Sequence, residues 1–364
     1  MNKILILEGD INNAITGFRK QLIDTLNIHY QIVVVGSTTK NIVLPSNNKF
    51  YNLGPLSGNP FYFIFYLFKI FKIILKEKPI VCLSFNLRPN IAIGLFCKII
   101  KIKTIATITG TSTFLATTNF FKNKLLNFIF SNLDYVFFQN LNDKTLFENQ
   151  KIRIKNYIIV PGSGINTSKY NFGRSYKTHA ETTFILVSRI IKEKGILEYI
   201  KAAEILKNKG YYAKFQLLGP YYFSGKLKDR IDKTIINTSV KNDFLTYLGE
   251  TTNVIPYIIN ADCVVHPSYR EGMSNLLLEA ASLSTPIITT NVPGCKEIVE
   301  NNYNGLLCNP RDSLDLADKL IHFIKLTEKE RETMGKNGRI KVEKEFEKSI
   351  VINKYLDIVN ILSN

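Results

Sequence analysis

The stretch CVVHPSYREGMSNLLLEAASLSTPIITTN, residues 263–291, reads as strand, polar turn, helix and second strand. Its first apolar run stops at Pro267, the turn carries Arg270, Glu271 and Gly272, and a helical pattern starts near Ser274 with Glu279 inside it. The second run, PIITTN, follows at once. A strand, a crossover helix and another strand in so few residues form a βαβ unit, whose two strands lie parallel in one sheet.

Outward from that unit the same alternation fills the chain. KILIL (3–7), QIVVVG (31–36), PIVCLSF (79–85), KTIATIT (103–109), DYVFFQ (134–139) and YIIVPG (157–162) form one set of strands. FILVSR (184–189), AKFQLLG (213–219), DFLTYLG (243–249), CVVHPS (263–268), PIITTN (286–291) and NGLLCN (304–309) form another. The runs are apolar along their whole length, so helices cover both faces of each sheet. Residues 165–182 are polar, turn-rich and without periodicity, and they separate the sets. The sequence therefore predicts an α/β chain of two doubly wound domains, 1–165 and 166–348, with a helical tail whose last helix, 349–364, packs back toward the first domain. Two such sheets, facing each other, would hold a substrate in the cleft beyond the carboxyl ends of their strands.

A length of 364 residues, 45% of them apolar, suits two such cores. The five cysteines show no CxxC spacing and most lie in apolar runs, which reads as reduced, buried thiols in a cytoplasmic protein. The amino terminus enters a strand directly, with no apolar stretch and cleavage site of an export signal. The net charge is +17, and residues 1–160 carry 19 Lys and Arg against 7 Asp and Glu. Such a half suits nucleic acid, anionic lipid, a phosphorylated substrate or merely a lysine-rich solvated surface. No recognisable nucleic-acid module accompanies it, and no GxGxxG follows KILIL or FILVS as a dinucleotide dehydrogenase requires.

Four residues carry the chemistry. VSRIIKEKG (187–195) releases Arg189 and Lys194 from a strand end, and two cations there suit a diphosphate whose negative charge grows as it leaves. Glu271 and Glu279 lie eight residues apart, spanning at most about 12 Å if helical, so two carboxylates can hold two ends of one extended ligand. The amides at the helix start near Ser274, beside Gly272, form a site for an anionic or hydroxyl-rich group.

Together, R-x4-K, E-x7-E and PIITTNVPGCKEIV resemble family 4 of the retaining glycosyltransferases, which have the GT-B fold of two facing Rossmann-like domains. KPIVCLSFNLRPNI, TIATITGTSTF and YIIVPGSGINTSKY are similar to segments of bacterial enzymes that build O-antigen, capsule or lipid-linked oligosaccharides, in particular the α-1,3-N-acetylgalactosaminyltransferase-like branch acting on undecaprenyl-diphosphate-linked sugars. The resemblance implies an N-terminal acceptor domain and a C-terminal nucleotide-sugar domain. It implies Arg189 and Lys194 on the donor diphosphate, Glu271 on the donor sugar hydroxyls, Glu279 on the ribose, and Gly272, Met273, Ser274 and Asn275 around sugar and phosphate. Gly17, preceded by Thr16 where relatives carry a second glycine, corresponds to the loop that approaches the diphosphate. Thr109 and Gly110 stand where many family members place a histidine, so no histidine base is assigned. Relatives often read GMPRSLLEA where this chain has GMSNLLLEA, which leaves the transferred sugar between an N-acetylhexosamine and a hexose.

The implied activity is transfer from a UDP-sugar to an undecaprenyl-diphosphate-linked glycan in surface polysaccharide synthesis, with no metal or other cofactor. The alternative is a catalytically silent GT-B subunit of a glycan assembly complex. Arg88, Asn90 and Thr109 are assigned to the acceptor side, Arg88 and Asn90 otherwise capping the next helix. His266 reads as a packed core histidine, and Arg270 as either a ligand contact or a solvated loop residue. Finally, NPFYFIFYLFKIFKIILKEKP (59–79) has apolar surface all round and Lys69, Lys72 and Lys76 on one face. It reads as an interfacial helix holding the protein peripherally on the inner face of the cytoplasmic membrane, or else as a core helix.

Overall fold

A computed structural model describes residues 1–11, 19–38, 48–54, 60–109, 120–171, 181–221 and 229–363. The chain divides into two compact units, Met1–Gly164 with Lys348–Asn364, and Ile165–Glu347.

The first unit is built on a seven-stranded parallel sheet: β1 (Lys3–Asp10), β2 (Gln31–Ser37), β3 (Lys49–Asn52), β4 (Val81–Phe85), β5 (Lys103–Ile108), β6 (Tyr135–Phe138) and β7 (Tyr157–Ile159), in the order β3-β2-β1-β4-β5-β6-β7. Alternate residues point to opposite faces, and both faces are apolar. Leu5, Leu7, Val33, Val35, Cys82, Ala106, Val136 and Phe138 pack on one layer of helices, while Ile4, Ile6, Ile32, Val34, Leu83, Ile105 and Phe137 pack on the other. The intervening helices are α1 (Lys20–Leu26), α2 (Pro60–Glu77), α3 (Leu87–Ile100), α4 (Phe120–Ser131) and α5 (Leu141–Asn149). Buried side chains of α2, α3, α4 and α5 cover the first face. The second face is covered by α1 and by the chain's last helix, Lys348–Ser363, whose Tyr355 stacks on Phe137 with ring centroids 4.4 Å apart. The sequence reading omits β3. KFYN has no buried residue, and as an edge strand it needs only one paired side, so it leaves no apolar run to find.

The second unit repeats the plan with β8 (Thr182–Val187), β9 (Ala213–Leu218), β10 (Thr246–Tyr247), β11 (Cys263–His266), β12 (Ile287–Thr290) and β13 (Gly305–Cys308), in the order β10-β9-β8-β11-β12-β13. Its helices are α6 (Ile196–Asn208), α7 (Lys233–Lys241), α8 (Ile255–Asn260), α9 (Asn275–Ser282), α10 (Ser313–Lys325) and α11 (Glu328–Glu345). In both sheets the strand order reverses once, between β1 and β4 and between β8 and β11. At a reversal the neighbouring crossovers leave on opposite faces, opening a crevice at the carboxyl ends of the two strands. All five cysteines are buried free thiols. No helix among the described residues is long and apolar enough to cross a membrane.

Candidate functional site

The reversal in the second unit brings the loops after β8 and β11 together. Ser268 Oγ donates to the carbonyl of Glu193 at 3.1 Å and the Tyr269 amide donates to the same oxygen at 2.9 Å. Gly195, at φ +70°, turns the first loop into α6, and a Cβ there would lie 2.0 Å from the Pro267 carbonyl oxygen. Only a glycine fits that approach. The loop after β12 closes on the other side, where the Ser274 amide donates to the Gly294 carbonyl at 3.0 Å.

Within this frame Lys194 Nζ donates to Glu271 Oε1, and His266 Nε2 lies 2.8 Å from the same oxygen. Burial acts to raise the Glu271 carboxyl, but the hydrogen bond and electrostatic pull of His266, then those of Lys194, overcome it and hold the group well below the usual carboxylate range. Glu271 is thus an ionised acceptor at the mouth of the crevice, 77 residues along the chain from its lysine partner. His266 is buried, as the sequence suggests, but it is not merely a core residue. As the last residue of β11 it sits where strand gives way to site, and its ring meets the carboxylate there. Sequence carried one signal for it, its place at the end of that strand. Arg189 is exposed on the loop that leaves β8, and Arg270 is exposed on the loop beyond β11.

Glu279 lies half-buried in α9 and accepts from Tyr170 Oη at 3.1 Å. Burial raises its carboxyl above the ordinary value, while the tyrosine hydrogen bond acts the other way. Arg339 of α11 donates to the Tyr170 carbonyl at 3.0 Å and to the Ser282 carbonyl, tying Tyr170 to the end of the helix that carries Glu279. Tyr170 escapes a sequence reading because its stretch is polar and turn-like, a short 3-10 helix over Thr167–Tyr170. Among Gly272, Met273, Ser274 and Asn275, Met273 turns its side chain into the core and the Ser274 amide is already paired. In the first turn of α9 the leading amides have no intrahelical acceptors.

In the first unit the reversal between β1 and β4 holds a second polar group. Asn86, with φ +75°, donates to Glu8 Oε1 at 2.5 Å and accepts from Thr109 Oγ1. Arg19 Nε lies 3.8 Å from Glu8 Oε2, and Arg19 donates to Ser163 Oγ at 2.6 Å. The acceptor-side assignment of Asn90 is corrected: its side chain is fully buried, accepting from Ser84 Oγ at 2.6 Å and donating to the Thr107 carbonyl at 3.0 Å, so it braces β4 against β5. Asn86, four residues earlier, is the asparagine that reaches Thr109. Arg88 is exposed in the first turn of α3. Gly17 lies outside the described residues.

The model of the family described as glycosyl transferases group 1 matches residues 171–341, which span β8 through most of α11 and contain Arg189, Lys194, His266, Glu271 and Glu279. The matched residues make up a little under half of the chain. The chain is 34% identical over 165 residues to the capsular polysaccharide biosynthesis glycosyltransferase CapM of Staphylococcus aureus, covering 45% of this chain and 42% of that one. It is 23% identical over 257 residues to the N,N'-diacetylbacillosaminyl-diphospho-undecaprenol alpha-1,3-N-acetylgalactosaminyltransferase of Campylobacter jejuni, covering 65% of each chain. Both matches span less than two thirds of the relative's own length. In fold the chain resembles Anabaena HepE in complex with UDP-glucose, with a TM-score of 0.78, 13% identity and coverage of 99% of this chain and 100% of that one. The chain has the GT-B fold.

Proposed function

We propose that the chain is a retaining glycosyltransferase that moves an N-acetylhexosamine or hexose from a UDP-sugar to an undecaprenyl-diphosphate-linked glycan in capsule or O-antigen assembly. The observation that carries this reading is the Lys194–Glu271–His266 cluster at the strand-order reversal of the segment that the group 1 model matches. CapM's role in capsule, the lipid-linked acceptor in the Campylobacter enzyme's name and HepE's bound UDP-glucose support it.

In the reaction the bond from the donor's anomeric carbon to the diphosphate oxygen breaks, a glycosidic bond to the acceptor hydroxyl oxygen forms, and the hydroxyl proton passes to the departing diphosphate. Arg189 and Lys194 offset the charge that builds on UDP, which gives the chain's own cations the part a metal would play. Lys194 already pairs with Glu271, so an arriving diphosphate competes for it and leaves the carboxylate to accept from sugar hydroxyls. Glu279 accepts from the ribose hydroxyls, with Tyr170 fixing its orientation. Retention follows from a front-face path, in which the acceptor attacks on the side the leaving group vacates. The lipid of the acceptor places the protein peripherally on the inner face of the cytoplasmic membrane.

A screen of UDP-sugars with undecaprenyl-diphosphate-linked acceptors tests this by UDP release. One or more donors are expected to turn over, with and without EDTA. No release from any donor, with UDP still bound, would favour the silent-subunit reading.

A further inference from the structure

Helices α2, α3 and α4 form one continuous layer on the first sheet. Phe71 of α2 meets Phe96 of α3 with centroids 5.0 Å apart. At Gly94 a Cβ would stand 2.5 Å from Ile129, so α3 and α4 touch along their backbones, and Lys98 Nζ of α3 donates to Asn132 Oδ1 beyond α4 at 2.6 Å. The inner face of this layer is satisfied: Tyr66, Ile70 and Ile74 of α2, Ala92, Ile93 and Cys97 of α3, and Leu126, Ile129 and Phe130 of α4 are all in the core.

The outer face is apolar as well. Phe61 is 72% exposed and Phe65 67%, with Tyr62, Ile64 and Phe68 exposed around them on α2. On α4, Phe120 is 76% and Phe121 79% exposed, and Leu125 and Phe128 continue the same outer face one and two turns on. An apolar surface of this extent marks an interaction site. It is also not evenly placed. Crossover helices run back against their strands, so the starts of α2 and α4 lie at the carboxyl-end edge of the sheet, the edge at which Asn86 and Thr109 stand. The phenylalanines cluster toward that edge, and Lys69, Lys72 and Lys76 follow them along α2 toward the opposite one.

Charge selects the partner. Residues 60–131 hold ten Lys and Arg and one acidic residue, Glu77. That carboxylate is turned inward to Lys3, Lys49 and Tyr51, so it offsets nothing on the outer face. A cationic flank beside a cap of exposed aromatic rings fits an anionic bilayer, the rings entering the acyl boundary and the lysines meeting phosphate.

We infer that the outer face of α2 and α4 docks the first unit on an anionic lipid surface with the carboxyl-end edge of its sheet nearest the bilayer. The inference deepens the peripheral location proposed above and rests on it for the choice of membrane, while the contact itself is read without any substrate. A lipid-linked acceptor would then meet that edge without leaving the bilayer.

The test is co-sedimentation of the full chain with phosphatidylcholine vesicles that contain or lack one third phosphatidylglycerol, alongside light scattering and UDP release on a water-soluble short-chain acceptor. Binding is expected to anionic vesicles at low salt, to fall at least tenfold at high salt, and to fall at least tenfold in F61S/F65S and, separately, in F121S/F128S. A third variant, K69Q/K72Q, should weaken binding to anionic vesicles alone. Thermal melting is expected to be unchanged, because the substituted side chains are exposed, and release on the soluble acceptor should stay at wild-type rate. Wild-type binding by both serine variants overturns the docking face, as does equal pelleting with neutral vesicles, anionic vesicles and none. A dimer that these variants dissolve, without vesicle binding, assigns the face to a second copy and overturns it too. Loss of vesicle binding with soluble turnover intact leaves the proposed reaction standing, whereas vesicle binding with no turnover on any donor counts against the reaction alone.

Discussion

Glu271 and Glu279 are two carboxylates of the second unit whose surroundings push them apart. Glu271 is held ionised by His266 and Lys194, while burial raises Glu279 against the pull of Tyr170. Glu271 lies with Lys194, which in the proposed reaction acts on the changing bond, so Glu271→Ala should mainly lower kcat. In the proposed reaction Glu279 holds the part of the donor that does not change, so Glu279→Ala should mainly raise the donor KM. Steady-state kinetics with both variants checks this, and equal effects on both constants in both variants would break the assignment. Lys194→Ala and Arg189→Ala should each cost on the order of 2 to 4 kcal/mol in kcat/KM, the usual loss for one preorganised charge donor. His266→Gln keeps a hydrogen-bond donor and should retain much of the activity that His266→Ala loses. Rescue of that kind would identify His266 as a positioning residue.

Among the elements, the loop into α6 is the most constrained. Gly195→Ala meets both a positive φ and a Pro267 carbonyl 2.0 Å from the new methyl, so urea denaturation should report a loss of about 1 to 3 kcal/mol. At the end of α2, Glu77 accepts from Tyr51 at 2.6 Å, Lys3 at 2.9 Å and Lys49 at 3.1 Å. Burial acts to raise its carboxyl, and these hydrogen bonds overcome it, taking the value down from 4.5 to about 2. A carboxyl lowered on folding stabilises the protein above its unfolded value, and that contribution fades as pH falls from 4.5 toward about 2. Glu77→Gln should therefore cost about 1.5 to 3 kcal/mol at pH 7 and flatten the stability profile over that acid window. An unchanged slope would assign the acid sensitivity elsewhere. The sequence makes α2 legible through its apolar residues and its Pro60 start, but not which side of it faces water. Phe61 and Phe63 look alike in sequence; only packing on the sheet leaves Phe61 out and draws Phe63 in.

Across the whole molecule, two parallel sheets can be read from twelve apolar runs because strands buried on both faces need no partner to be recognised. The edge strand β3, with no buried residue, does not announce itself that way. Of the site, Arg189, Lys194, Glu271 and Glu279 are legible from spacing within local motifs. Glu8, Asn86 and Tyr170 are not, since each acquires its meaning from residues between 23 and 109 positions away that strand order or packing brings beside it. The proposed reaction rests on the Lys194–Glu271 pair. With the UDP-sugar that turns over, the anomeric proton–proton coupling of the transferred sugar in the purified glycan product reports its anomeric configuration. An α-configured donor is expected to give an α-linked product whose formation collapses in Lys194→Ala. A β-linked product, or undiminished transfer by that variant, would contradict retaining transfer at the Lys194–Glu271 site.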